Sequence, residues 1–207
     1  MLAPHFSGGY LVFPPRLDGS CAWSDFARHE CRWLTATPSI LQVLLAAPLS
    51  NVKVDFLRSC SSPLLPTTHR ALEERFQCPV VEAYAMTEAA HQMASNSFEG
   101  RMSGSVGHAS GNVQMTIVDE KSNQEMGRGQ AGEVAVCGPS IMPGYVNREE
   151  ANRAAFLEMK GQRWFRTGDR GSKSDTGRLT LLGRISEIIN RGGEKVSPPE
   201  VDEMIRR

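Results

Sequence analysis

The chain has 207 residues, 40% of them hydrophobic, with 23 basic and 23 acidic side chains and a formal net charge of zero. That apolar share supports a packed core and excludes global disorder, while the neutral balance excludes a protein built mainly to coat nucleic acid. The length allows one large domain or one and a half ordinary ones, and no apolar run approaches the roughly 20 residues of a membrane-spanning helix.

In chain order, His5–Phe13 reads as a Gly8-Gly9 turn into a short buried strand, closed by Pro14-Pro15. Ser24–Arg32 has helical spacing around Phe26. Trp33–Ala36 follows as a strand, and Thr37-Pro38-Ser39 opens a helix through Leu41, Leu44 and Leu45. Val54–Leu57 is the next strand, ending at Arg58-Ser-Cys-Ser-Ser62. Pro66–Phe76 is a helix with Leu72 and Phe76 on one face, and Val80-Val81 is a strand again. This alternation predicts right-handed βαβ crossovers and a parallel sheet. The loops Ser59–Pro63 and Tyr84–Glu88 then fall at the carboxyl ends of successive strands and face one ligand. The second of them, Glu82-Ala-Tyr-Ala-Met-Thr-Glu88 continued to His91, gathers an aromatic ring, a hydroxyl, a carboxylate and an imidazole. It reads either as a ligand site or as polar capping of the next turn.

After Gly104 the texture changes to short alternating strands at Val113–Val118, Gly132–Cys137 and Arg178–Leu182, with one helix from Asn147 to Phe156. Short strands between Gly-rich turns predict a small antiparallel barrel or sheet. From Gly183 a basic, Gly-rich connector leads to Pro198, which opens a helix with acids after it and no terminating signal. The segment therefore reads as part of a longer chain. The five cysteines are widely and irregularly spaced and include no C-x-x-C, which favours reduced, mostly buried thiols over zinc or disulfides. An intracellular location is expected, cytoplasmic or peroxisomal.

Three further stretches offer chemistry. Ser103-Gly-Ser-Val-Gly107 lacks the lysine and spacing of a phosphate loop, and reads more readily as a turn where backbones pass closely. Trp164-Phe-Arg-Thr-Gly-Asp169 has two core anchors and a glycine that would turn Asp169 outward. The carboxylate could accept from ribose hydroxyls or simply serve the turn. Gly183–Lys195 sets Arg184, Arg191 and Lys195 around a Gly-Gly hinge, as a phosphate contact or as a charged linker.

In this order, with Gly132-Glu-Val and Gly144-Tyr145 between them, these motifs resemble those of the adenylate-forming acyl-CoA synthetases over essentially the whole chain. Arg58-Ser-Cys-Ser-Ser-Pro63, Glu82–Asn96 and Ile189–Pro198 look most like oxalate–CoA ligases. The resemblance implies the second half of a large α/β domain (1–112), a small β subdomain (113–183), and the hinge and start of a mobile C-terminal α+β domain (184–207). It implies ATP, Mg²⁺ and coenzyme A as reactants: an acid is adenylated, pyrophosphate leaves, and the acyl group passes to the thiol.

By that resemblance Ser61, Ser62 and Pro63, with Glu82, Ala83 and Tyr84, would hold the adenine. Thr87 and Glu88 would be catalytic, Thr87 on a phosphate oxygen and Glu88 on Mg²⁺. Asp169 would take the ribose hydroxyls with Arg184 beside it. His91, placed one helical turn after Glu88, and Ser61 would donate to the second carboxylate of oxalate; a structural histidine is the other reading. Ser186, Gly192, Gly193 and Lys195 would form the hinge and coenzyme A contact. Two positions depart from the family pattern: Ser186 stands where a lysine or aspartate is usual, and Tyr84-Ala85 where Tyr-Gly is commoner. The family's phosphate loop and second lysine would lie outside these residues, so little turnover is expected of this chain alone. A ligase for another small or aromatic acid, or a non-catalytic nucleotide-binding remnant, are the rival readings.

Overall fold

The structure, a computed structural model, describes residues 2–13, 19, 21–48, 52–191 and 194–205. Two short helices, α1 (Leu2–Phe6) and α2 (Ala22–Arg28), precede the first strand, β1 (Trp33–Ala36). Thr37 follows that strand with extended backbone and accepts from the Ile40 amide at 3.5 Å, and Pro38 supplies the fixed first turn of α3 (Pro38–Ala46). After β2 (Phe56–Ser59), Pro66 starts α4 (Pro66–Phe76), which stops at Gln77 in the left-handed region. The next strand, β3 (Val80–Met86), completes a parallel β1-β2-β3 array. α2, α3 and α4 cover one face of it with a core that includes Trp23, Leu41, Leu44, Leu57, Leu72 and Val80.

The sheet is mixed rather than purely parallel. β3 runs on to Met86, so Tyr84 lies within the strand and not in a loop, and Thr87–Ala89 form a single 3₁₀ turn. Ala90 and His91 then adopt φ of 50° and 90°, which reverses the chain into the antiparallel strand β4 (His91–Ser95), with β5 (His108–Ala109) beyond it. The predicted helical turn from Glu88 to His91 is therefore replaced by a hairpin-like reversal. Two other expectations fail at the start of the chain. The segment Tyr10–Phe13 forms no strand and leaves both rings exposed, and β2 begins two residues later than Val54.

The second sheet is antiparallel, as expected, with order β10-β9-β7-β6: β6 (Gln114–Val118), β7 (Ala131–Cys137), β9 (Gln162–Lys173) and β10 (Leu179–Arg184). A helix, α5 (Glu149–Ala155), leads into β8 (Phe156–Met159), which pairs with β9. The motif Trp164–Asp169 lies inside β9 and does not end at a turn. Gly168, at φ 71°, instead forms a bulge between the pairs Ala135↔Arg166 and Glu133↔Arg170. The two sheets are joined at Gly107, whose φ is 78° and where a Cβ would sit 2.2 Å from the Ser95 carbonyl oxygen. Here Gly107 and Leu179 form a bridge, so Ser103–Gly107 is the close backbone passage that the sequence favoured over a phosphate loop. Tyr84, Met93 and Ala94 of the first sheet share one core with Met115, Ile117, Val134, Val136 and Phe165 of the second. A short hairpin, β11 (Ile189–Arg191) and β12 (Glu194–Val196), and the helix α6 (Pro198–Ile205) follow.

Candidate active site

The carboxyl end of β2 and the adjoining part of β3 set out the first group of polar side chains. Ser59 and Glu82 are register partners on adjacent parallel strands, so their side chains leave the same face. Both are buried, and the Ser59 hydroxyl and one Glu82 oxygen find no partner among the described residues. The other Glu82 oxygen accepts the Leu64 amide at 3.0 Å, which ties β3 to the segment after Ser61–Pro63. Burial pushes the Glu82 carboxyl up to about 7, against that hydrogen bond. Ser61 sits at φ 80° and, like Ser62 and Pro63, is exposed.

The second group forms where the two sheets meet. Tyr84 and Asp169, 85 residues apart, are joined by a hydrogen bond from the phenol to Asp169 Oδ2. Arg184 Nε lies 3.0 Å from Asp169 Oδ1, and its Nη1 donates to the Thr167 carbonyl at 3.0 Å. The bulge at Gly168 is held by Glu133, which accepts the Gly168 amide at 3.0 Å and Arg166 Nε at 2.8 Å. Asp169 is thus aimed by a built support and not by a loose turn. Burial raises its carboxyl above the ordinary value even against the pull of Tyr84 and Arg184, and burial beside this carboxylate raises the Tyr84 phenol strongly. The Tyr84 ring is packed into the shared core at 6% exposure; its hydroxyl edge, not an open face, is what it directs to this cluster.

The third group surrounds the 3₁₀ turn. Thr87 is exposed and Glu88 half-buried, with Glu88 Oε1 accepting from the Tyr145 hydroxyl at 3.0 Å. The Glu88 carbonyl also accepts the Met142 amide at 2.7 Å, which pins the Ile141–Tyr145 segment against the turn. A half-buried carboxylate is a suitable hard ligand for Mg²⁺. Among the described residues no group of three or more His, Cys, Asp or Glu side chains is placed to hold a metal ion. His91 is exposed at the start of β4, paired in register with Met86.

Ala83 is buried in β3, and Ser186 is exposed in the 3₁₀ turn Ile185–Glu187 just after Arg184. Gly192 and Gly193 lie outside the described residues; Lys195 is placed as backbone in β12. Tyr145 and Glu133 were not among the site residues expected from the sequence. Glu133 had a usable signal, a lone carboxylate in the buried run Gly132–Val136; Tyr145 had only its neighbour Gly144. A cavity of about 490 Å³ opens elsewhere, lined by His108, Thr116, Lys160, Trp164 and Lys173 among others. Its charged groups are already engaged, Lys160 with Glu125 and Lys173 with the Met115 carbonyl.

A mixed sheet with helices on one face thus meets an antiparallel sheet at a Tyr84–Asp169–Arg184 cluster. The chain belongs to the AMP-binding enzyme family, whose pattern matches residues 1–146. Among curated relatives, the oxalate–CoA ligase of Saccharomyces cerevisiae is 41% identical over 98% of this chain and 37% of its own length. The sulfoacetate–CoA ligase of Cupriavidus necator is 38% identical over 100% of this chain and 40% of its own. Among solved structures, ATP-bound MatB from Rhodopseudomonas palustris superposes with a TM-score of 0.87 at 30% identity, over 97% of this chain and 40% of that one. The O-succinylbenzoate coenzyme A synthetase MenE from Bacillus subtilis, in complex with ATP and magnesium ion, gives 0.82 at 29% identity, over 96% and 41%. The chain thus spans about two fifths of the length of the relatives it matches. No described helix is long and apolar enough to cross a membrane.

Proposed function

We propose that this chain is part of an AMP-forming acid–CoA ligase whose acid is oxalate. The observation that carries the reading is the meeting of Tyr84, Asp169 and Arg184 at the joint of the two sheets. Each Asp169 oxygen has one protein donor there and keeps a second lone pair, so the carboxylate can also take the paired hydroxyls of a ribose. Arg184 supplies a fixed positive charge, and Thr87 and Glu88 extend the line toward a triphosphate, Thr87 with a hydroxyl and Glu88 as the carboxylate for Mg²⁺. When bound, Mg²⁺ neutralises phosphate charge. Adenylation depends mostly on such positioning and electrostatic stabilisation. Ser61, Ser62, Pro63, Glu82 and Ala83 form the rim for the base. By the family resemblance, Ser186 is assigned to the hinge, and Gly192, Gly193 and Lys195 to the coenzyme A contact.

Oxalate as the acid is supported by the kinship with oxalate- and sulfoacetate-using ligases, both of whose acids carry two anionic groups. Ser61, after β2, and His91, after the 3₁₀ turn, are both exposed and are assigned as the hydroxyl and imidazole for that second group. The test is made on the polypeptide as purified from its source, supplied with ATP, Mg²⁺, coenzyme A and a panel of acids. Oxalate-dependent AMP and oxalyl-CoA are the expected products. Turnover with a monocarboxylate or aromatic acid but not oxalate would replace the acid. AMP binding with no acid-dependent turnover would leave only a nucleotide-binding protein.

A further inference from the structure

We propose that Arg58 is the cationic receptor for the second anionic group of the acid, held by Gln92, and that it sets the preference for doubly charged substrates. This rests on the reading above that a small acid is activated beside Ser61 and His91. The geometry begins with register. Arg58 pairs with Val81 on β3, and Gln92 pairs with Ala85 on the other side of the same strand, so both side chains leave one face of the sheet. Between them β3 presents only Val81, Ala83 and Ala85 on that face, and the guanidinium reaches across these small residues to donate to Gln92 Oε1 at 2.9 Å. Gln92 Nε2 donates in turn to Ser110 Oγ at 3.1 Å, which fixes the amide so that its oxygen faces Arg58.

The half-buried arginines here are of two kinds, those on a carboxylate and those, Arg58 and Arg178, on a neutral side-chain amide. Arg101, Arg166 and Arg170 each meet a carboxylate, of Glu73, Glu133 and Glu120 respectively. Among the described residues Arg58 meets only a neutral amide, so its charge is held in place but not neutralised. An anion would neutralise that charge, and a planar carboxylate or a sulfonate matches the guanidinium fork. His91 cannot fill that role with charge at neutral pH. Partial burial and the neighbouring Arg58 charge hold its imidazole below the ordinary value, so it offers an N–H donor while Arg58 offers the cation. A monocarboxylate has nothing to place against Arg58, and leaves it as it stands here.

The experiment compares Arg58→Lys, Arg58→Met and Gln92→Met with the unaltered polypeptide, reading AMP formation from oxalate and from acetate. The proposal predicts that Arg58→Met lowers the ratio of oxalate to acetate kcat/KM at least 100-fold, and that Arg58→Lys lowers it less. Gln92→Met, which keeps the charge but removes its tether, should raise KM for oxalate more than it lowers kcat. AMP binding by each variant reports folding. If Arg58→Met loses AMP binding, the lysine and Gln92 variants decide. A ratio unchanged within a few-fold in the folded variants would overturn the role of Arg58 and leave the ligase reading intact. No ATP-dependent turnover of any acid by the unaltered protein would overturn both.

Discussion

At the scale of single residues, two buried polar groups carry the strongest consequences. Glu82 is nine-tenths or more buried, with its carboxyl raised from an ordinary value of 4.5 to about 7. A folded-state value above the unfolded one means the folded state holds its proton while the unfolded state releases it. The resulting penalty is absent below pH 4.5, grows as pH rises toward 7, and is constant above that, at roughly 3 kcal/mol. Glu82→Gln keeps the acceptor for Leu64 and adds a donor toward the orphaned Ser59 hydroxyl. Denaturant midpoints measured from pH 5 to pH 8 should fall for the parent and stay nearly level for the variant, which should be the more stable at pH 8. A parallel fall in both would place the pH dependence elsewhere. The Tyr84 phenol is the other such group. Tyr84→Phe removes the donor to buried Asp169 while leaving Arg184 as its counter-ion. About 1–3 kcal/mol of stability should be lost, together with AMP affinity by calorimetry, and equal AMP affinity would show that the contact serves folding alone.

At the scale of elements, the close passage at Gly107 joins the sheets. Its left-handed backbone and a Cβ position 2.2 Å from the Ser95 carbonyl oxygen exclude any other residue without a backbone shift. Gly107→Ala should cost roughly 2–5 kcal/mol, seen as a lowered urea midpoint with an unchanged slope; a loss under 1 kcal/mol would mean the passage is slack. How far the sequence revealed these elements depends on where the determining atoms lie. β1, α3 and α4 were legible almost to the residue, because Thr37, Pro38 and Pro66 write caps and first turns locally. The reversal into β4 was hidden, since Ala90 and His91 take left-handed angles with no glycine to mark them. Strand β9 was misread because Gly168 signals a turn in isolation, and only pairing with β7 makes it a bulge. The segment Tyr10–Phe13 has strand-like letters but no strand beside it among the described residues. The site followed the same rule. Asp169 and Arg184 were named from their motifs, whereas the bond of Tyr145 to Glu88 is tertiary and leaves no local trace, and Glu133 shows locally only as a lone carboxylate in a buried run.

At the scale of the whole molecule, β3 is the element that belongs to both halves. Its first residue, Val80, is buried in the helix-covered core, and four residues later Tyr84 is buried in the core shared with the second sheet. The same strand therefore transmits any loss of packing from one core to the other, through Tyr84 to Asp169 and through β4 to Met93 and Ala94. Two sheets that shared only a loop would unfold separately, whereas two that share a buried core should open as one cooperative unit. Leu72→Ala tests this, because Leu72 on α4 is fully buried in the first core, far in sequence from β7 and β9. Its truncation should cost about 2–5 kcal/mol. Native-state hydrogen exchange should then show the amides of Val134 and Phe165 losing protection by the same free energy as those of Leu57 and Val80. Full protection retained at Val134 and Phe165 would instead mean that the second sheet holds without the first, and that the Tyr84–Asp169 contact joins two independent units.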